Sequence, residues 1–315
     1  MSYKQTVEEH HKLTFSDNVK MVSQQLNNPL RNAVTTVQGS GEAQDIADLI
    51  GEATYNEVED YARRNPENPP SRKRRWLIRP TGIDAGGLIT KEEKFDFAMD
   101  PSSHLFRNWI KGVERGVFDK ILGIRPKAGG GYELAGGGIL GAVSEGKTPT
   151  STVALPNGNY IAVDYGSTGT AAGLNISKMR SATEAMELED FGLEAEDEVY
   201  GLITPKQKTD LIDLAVETGK NLNPFDVEQI REGKAAKLLG INWIFTNRLP
   251  LDADGYRLVP LWTKANVMAG FWQDVEGQIF NDPSSRNLPR VIVDAYVTAG
   301  RVEDKGVRVI RCQEA

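Results

Sequence analysis

Between Asp100 and Gly123 the chain carries an apolar stripe six turns long, and an element of that length dictates what must be built around it. Phe106, Trp109, Ile110, Val113, Val117 and Ile121 recur at steps of three and four, while Arg107, Lys111, Glu114, Arg115 and Asp119 fall on the other side. At 1.5 Å per residue the helix is roughly 30 Å long. Asp100 or Ser102 can cap its first amides, Pro101 suits a first turn, and Gly123 followed by Pro126 ends it. Gly112 and Gly116 lie four apart on one face and cost helix propensity; ordinary tight packing is the simplest reading of both.

A chain of 315 residues can bury a large core and usually makes two domains. With 39% hydrophobic and 26% charged residues it has the composition of an ordinary soluble globular protein. A net charge of -7 and a pI near 5.3 argue against a general nucleic-acid-coating role, which requires concentrated positive charge to neutralise phosphates. No apolar run approaches the ~18 residues of a membrane span, and Met1 to Lys12 is polar without a signal-peptide core, so a cytoplasmic protein is expected. The single cysteine, Cys312, excludes an internal disulfide and any cysteine-based metal cluster. Thirty-one glycines and fifteen prolines indicate many turns and substantial β structure.

In the N-terminal third, His10 and His11 sit in a polar segment and read as solvated. Phe15, Val19, Val22 and Leu26 form a short helical stripe that ends before Pro29. Val34–Val37 and Trp76–Arg79 read as strands, and Ile46–Ile50 is a short apolar patch. Between them Glu57–Arg75 is polar, with Asn65–Pro70 followed by Arg72, Lys73, Arg74 and Arg75. So much polar chain between two strands predicts a two-stranded arm projecting from the body. Such an arm buries little by itself and needs something to lie on. The basic run is expected to face solvent or a partner; nucleic-acid contact is the lesser reading.

Gly141–Thr148 matches the phosphate-loop pattern GxxxxGK[ST] in full, and Gly136, Gly138 and Gly141 satisfy GxGxxG. Tyr160–Asp164 imitates the strand whose Asp would hold magnesium. The chemistry needs a helix starting at Lys147-Thr148, so that free amides and the dipole face the phosphates. Pro149 follows at once, and Thr150–Leu155 then reads as a strand closed by Pro156–Asn159. The spacing to Asp164 is too short for a helix, its connections and a strand. A glycine-rich β-hairpin is predicted in place of a nucleotide site.

A second helix is expected from Asn175 or Ser177 to Phe191-Gly192, with Met179, Ala182, Ala185 and Met186 inward. The acids that follow, Glu187, Glu189, Asp190, Glu194, Glu196, Asp197 and Glu198, read as solvated surface. Val199–Ile203 is a strand, and Thr204-Pro205-Lys206-Gln207 is a capping box with proline in the first turn. The helix after it uses Leu211, Ile212 and Ala215 and ends at Gly219; Pro224 opens another through Ile230. Gly240–Phe245 and Tyr256–Trp262 are strands, completing an α/β subdomain. Val267–Trp272 and Pro289–Val297 should pair across a turn at Asn281–Ser285. In the last strand, Val302–Arg311, Val307, Val309 and Arg311 would alternate with Arg308 and Ile310.

Three histidines, two of them in the polar N-terminus, and one terminal cysteine leave no material for a Ser-His-Asp or Cys-His centre. His104 is a helix-start residue. No motif selects a catalytic pair from 44 acids, and no catalytic, cofactor-binding or metal-ligating residue is assigned.

The order of parts resembles the major capsid proteins of tailed bacteriophages with the Hong Kong 97-like fold. Phe15–Gln25 looks like the N-terminal arm; Asp45–Gly51 and Arg74-Arg75-Trp76 look like the extended loop that overlaps a neighbouring subunit. Asp100–Ser103, Arg115 and Asp119 are similar to the family's long spine helix. Later landmarks are Thr152–Pro156, Gly173-Leu174, Ile203–Pro205, Leu238–Trp243, Thr246–Pro250 and Arg301–Val307.

The resemblance implies an α+β fold: an N-arm over 1–33, an extended β-hairpin loop over 34–95, a peripheral domain with the spine helix over 96–195 and 266–315, and an axial domain over 196–265. It implies a non-enzymatic structural subunit that self-assembles as hexamers and pentamers into an icosahedral head enclosing double-stranded DNA, without sequence-specific binding or a cofactor. The implied place is the virion capsid, assembled in the host cytoplasm without a membrane. Implied partners are further copies, a separate scaffolding protein, a portal and decoration proteins. Some relatives carry a scaffolding segment before the arm, and some cross-link Lys to Asn; neither is assigned here. Arg72, Lys73, Arg74, Arg75 and Trp76 become candidates for inter-subunit contact. Gly112 and Gly116 become close approaches to the peripheral sheet. An encapsulin-like cellular shell of the same fold is the main alternative, and a phosphate-loop nucleotide enzyme the lesser one.

Overall fold

The structure is a computed structural model and describes residues 28–55, 68–89, 101–167, 169–192, 197–217 and 237–314. The expected helix at Phe15–Leu26, the His10-His11 pair, the tip of the arm, part of the acidic run and the helix opening at Pro224 lie outside them. Contacts divide the chain into two units, one drawn from 82–116 and 273–295, the other from 29–81, 117–272 and 296–315.

In the first unit, β4 (Ile83–Leu88) runs antiparallel to the neighbouring part of β15 (Leu288–Arg301), with Ile83 opposite Ala295 and Leu88 opposite Arg290. Val291, Val293 and Ala295 are buried whereas Ile292 between them is 38% exposed, the alternation of a sheet covered on one face. The cover is the first part of α2 (Pro101–Leu122), the helix expected from its apolar stripe. Trp109 lies over Gly87 and Phe106 over Gly277 of β14 (Val267–Asp282). Gly116 meets Ile83, whose Cγ2 would stand 2.8 Å from an added Cβ. Gly112 meets only the Arg115 guanidinium, at 3.7 Å, so the close approach foreseen for both glycines holds at Gly116 and not at Gly112.

Strands β14 and β15 are neighbours in the sheet and longer than expected; the 3-10 turn Pro283–Ser285 lies between them. In the second unit, β1 (Thr35–Gln38) pairs in parallel with 268–271 of β14, after the single-turn α1 (Leu30–Ala33). A six-stranded sheet forms the larger core. Its order is β11 (Lys237–Leu238), β12 (Ile241–Phe245), β10 (Val199–Ile203), β13 (Arg257–Thr263), β16 (Val307–Cys312) and β9 (Tyr160–Ile161). Strand β16, which the resemblance groups with 266–315, pairs antiparallel with β13 of the segment 196–265.

The last strand, along which Val307 and Val309 alternate with Arg308 and Ile310, is covered on both faces. Five of the six residues of β16 are buried, Arg308 among them. The strand is covered by α3 (Ile176–Glu187), and Arg308 Nη2 donates to the Ala185 carbonyl at 2.8 Å, where the helix end favours a cation. Helix α3 is capped by Asn175, which accepts from Lys178 N–H at 2.7 Å. Lys178 itself is fully buried, a position sequence periodicity did not single out; its Nζ donates to the carbonyls of Ala172, Gly173 and Arg311 at 2.7, 3.0 and 3.1 Å. The capping box before α4 (Pro205–Glu217) forms in both directions: Thr204 N–H donates to Gln207 Oε1 at 2.9 Å and Gln207 N–H to Thr204 Oγ1 at 3.3 Å.

The C-terminal turns of α2 belong to the second unit, where Val117, Phe118, Ile121 and Leu122 are buried. Asp119, expected on the polar side, is buried as well and pairs with Arg248. After the helix come β5 (Ile124–Pro126) and β6 (Tyr132–Leu134), a small antiparallel pair. The glycine-rich stretch then folds back on the helix end: Ile139 N–H donates to Ile121 O at 3.0 Å and Leu140 N–H to Leu122 O at 3.1 Å. A Cβ at Gly138 would stand 2.6 Å from the Ile121 carbonyl oxygen. The Ile139 and Leu140 amides therefore satisfy free carbonyls at a helix C-terminus, the electrically opposite end from the one that holds phosphate, and the missing side chain of Gly138 lets the chain come that close. Beyond them β7 (Val143–Glu145) and β8 (Ser151–Val153) form the predicted hairpin, Glu145 opposite Ser151, with Gly146 at φ +127° in its turn. Among the described residues no helix is long and apolar enough to cross a membrane, and no group of His, Cys, Asp or Glu is arranged to hold a metal ion. Cys312 is buried and free, and burial pushes its thiol up to about 12.

Candidate functional site at the root of the arm

The two-stranded arm is β2 (Ala43–Ile50) against β3 (Arg72–Ile78), antiparallel with Ala43 opposite Ile78 and Ile50 opposite Arg72. Strand β3 continues into a four-stranded sheet of order β2, β3, β7, β8, but its ladder with β7 has only two rungs, Arg75 opposite Glu145 and Trp76 opposite Ser144. The arm is thus held to the body by a narrow strip of backbone, and side chains supply the rest.

Alternation along β3 sorts the candidate residues into two sets. Arg72, Arg74, Trp76 and Ile78 point one way, and Lys73, Arg75 and Leu77 the other. Ile50 is 68% exposed and Ile78 45%, and the Arg74 guanidinium lies 5.4 Å over the Trp76 ring. Asp48 accepts from Arg74, which holds the carboxyl below its usual range. Trp76 Nε1 donates to the Gly146 carbonyl at 2.8 Å. Lys73 stands 3.3 Å from Glu145. Arg72 and Lys147 are exposed and have no partner among the described residues. These cations with Asp48 and Glu145 line a groove beside the arm.

Arg75 departs from the outward-facing expectation. It is 4% exposed, and its guanidinium donates to both Asp304 oxygens, at 3.1 and 2.7 Å. It also donates to Glu145 Oε2 and to the Arg301 carbonyl, each at 3.3 Å. Behind Asp304 stands Arg301, fully buried, with Nε 3.0 Å from Asp304 Oδ1 and Nη1 2.9 Å from the Ile139 carbonyl. Asn159 donates to the Asp304 and Val307 carbonyls, bracing the turn that carries Asp304. Burial pushes the Asp304 carboxyl up, but the bonds and charge of Arg75 and then Arg301 outweigh it and leave the group below its usual range. Two arginines face two carboxylates, so the buried charges balance, and the fork geometry of Arg75 on Asp304 fixes direction as well as distance.

Leu77, two residues on, is 3% exposed and enters a socket floored by glycine. An added Cβ would stand 2.9 Å from Leu77 at Gly270 and 3.2 Å from it at Gly300. Ile46 also reaches Gly300; it is the residue at which the β2–β3 register shifts, and the irregularity turns it toward the body. Of the five residues singled out from the sequence, the fold brings Arg72, Lys73, Arg74 and Trp76 together at the accessible root and sends Arg75 inside. Asp304, Arg301, Glu145 and the socket glycines were missed as parts of this site. Arg301–Val307 was legible only as a landmark, because no local pattern says that a turn about 230 residues away answers Arg75.

A family described as phage capsid protein matches residues 7–314. Among solved structures, the capsid of cyanophage P-SCSP1u is similar at TM-score 0.66 and 12% identity, covering 98% of this chain and 94% of that one. The capsid of a native GTA particle is similar at TM-score 0.66 and 14% identity, covering 100% of each. An encapsulin complex from Synechococcus elongatus is similar at 0.58 and 9% identity, covering 94% and 92%. No curated protein matches the sequence closely enough to count as a relative.

Proposed function

This chain belongs to the phage capsid protein family, and on that premise we propose that it is a major capsid protein whose copies form the icosahedral head of a tailed phage. Its role is structural, and its working surfaces are those that meet other copies. The observation that carries the reading at residue level is the arm: a hairpin on a two-rung ladder, with exposed Ile50 and Ile78 and half-buried Trp76 beside exposed Arg72 and Arg74 on a face left accessible among the described residues.

On this reading Arg72, Lys73, Arg74 and Trp76 contact a neighbouring subunit, and Arg75 acts within its own subunit. The segments are an N-arm over 1–33, an extended loop over 34–95, a peripheral domain over 96–195 and 266–315, and an axial domain over 196–265. Hexamers and pentamers build the shell, with a scaffolding protein, a portal and packaged double-stranded DNA as further partners and assembly in the host cytoplasm. The family match favours a viral head over a cellular shell, although the fold is shared with an encapsulin. Electron microscopy of the expressed protein, with and without a scaffolding partner, is the direct test. Closed icosahedral particles are expected; a protein that stays monomeric under every assembly condition and is missing from virions defeats the reading.

A further inference from the structure

We propose that the Arg75–Asp304 ion pair is a latch that sets the direction of the arm, which makes Asp304 a positioning residue for shell assembly. The inference rests on the reading of the arm as a contact between subunits and adds what aims it.

Seven paired positions join β2 to β3, so the hairpin behaves as one stiff body, while its backbone ladder with β7 has rungs only at Arg75 and Trp76, extended by Gly146 N–H donating to the Arg74 carbonyl and Trp76 Nε1 donating to the Gly146 carbonyl. A stiff lever on a two-rung ladder swings unless something off the ladder restrains it. Leu77 in its glycine-floored socket fixes where the lever starts, but contacts between methyl groups and backbone have no preferred direction. The bidentate bond from Arg75 to Asp304 does have one, because both guanidinium nitrogens and both carboxylate oxygens must lie near one plane. Asp304 is itself immobilised from behind by buried Arg301, whose Nη1 is anchored on the Ile139 and Gly141 carbonyls. The restraint therefore runs from the arm through Arg75 and Asp304 to the loop that closes the end of the long helix. An exposed pair such as Arg74–Asp48 ties the two strands of the arm to each other and leaves its direction free.

The test uses the full-length unassembled subunit and compares the natural chain with Asp304→Asn and Asp304→Glu by amide hydrogen exchange. In Asp304→Asn, amides of 43–50 and 72–78 should exchange at least ~10-fold faster while those of 199–203 and 257–263 change less than about twofold. Asp304→Glu, which keeps the charge, should recover most of the protection, and Asp304→Asn subunits should assemble into particles of mixed diameter. Unchanged exchange in the arm overturns the latch, as does an equal rise in the core strands, since the pair would then be a general stabiliser. Uniform particles of normal diameter from a loosened arm overturn it too. The subunit-contact reading is judged separately, by removing residues 58–74: normal heads from that deletion defeat it whatever the exchange experiment gives.

Discussion

Asp119 on the long helix and Arg248 after β12 are joined by a two-point ion pair, Arg248 Nε standing 2.8 Å from Asp119 Oδ1, with the guanidinium 4.7 Å over the Tyr132 ring. Both side chains are largely out of solvent, 9% and 15% exposed, so removing one partner strands the other's charge. Asp119→Leu should lower stability by about 3 kcal/mol, or roughly 4–5 °C in melting temperature. The double change Asp119→Leu with Arg248→Leu should recover much of that loss. Calorimetry of the three proteins decides; a double mutant as unstable as the sum of its parts contradicts the account.

The two glycines of the long helix should respond with opposite sign. Gly112 faces only a flexible guanidinium, so Gly112→Ala should stabilise by about 0.5–1 kcal/mol through helix propensity. At Gly116 any Cβ would press on Ile83 and a longer side chain more so, and Gly116→Leu should destabilise by about 1–3 kcal/mol. Denaturant melts of both variants provide the comparison.

Deleting 58–74 removes Arg72, Lys73 and Arg74 of β3 together with the chain before them and leaves Arg75, Trp76 and Leu77 in place. The variant should stay soluble, with a melting temperature within a few degrees of the parent, because that stretch contributes no buried hydrophobic side chain among the described residues. Shells should be missing from its micrographs.

Lys147 sits in a hairpin turn, with no helix after it to aim free amides at a phosphate. Calorimetric titration with ATP should show no binding that Lys147→Ala abolishes. Saturable, Lys147-dependent binding would falsify the hairpin reading of this loop.

Asp304 is held below its usual range in the folded protein. It stays ionised to a lower pH there than in the unfolded chain, so its stabilisation is complete above the unfolded value near about pH 4 and disappears as pH falls through the lower folded one. The groups facing it are the Arg75 and Arg301 guanidiniums, with the Glu145 carboxylate across Arg75. The urea midpoint of the natural chain should therefore drop more steeply as pH falls below about 4 than that of Asp304→Asn. Parallel curves would show that Asp304 carries none of the acid sensitivity.

Local patterning alone determined the long helix with its proline start and glycine stop, the Thr204–Gln207 capping box, the hairpin where a phosphate-loop match invited another reading, and the arm itself. Each depends on neighbours a few residues apart, through hydrogen bonds within a turn or a period of 3.6 or 2, and such signals survive in one dimension. What only the tertiary structure decided is where charge goes when it leaves the surface. Asp119 and Arg75 read as outward-facing, Arg308 shared a strand face with Ile310 and Lys178 stood out in no pattern, yet all four are buried. The first three meet partners more than a hundred residues away, Arg248, Asp304 and Ala185, while Lys178 is received by carbonyls both nearby and distant. A charge can be buried only where the fold supplies an opposite charge or a carbonyl at bonding distance, and that supply is set by packing, which no local pattern encodes.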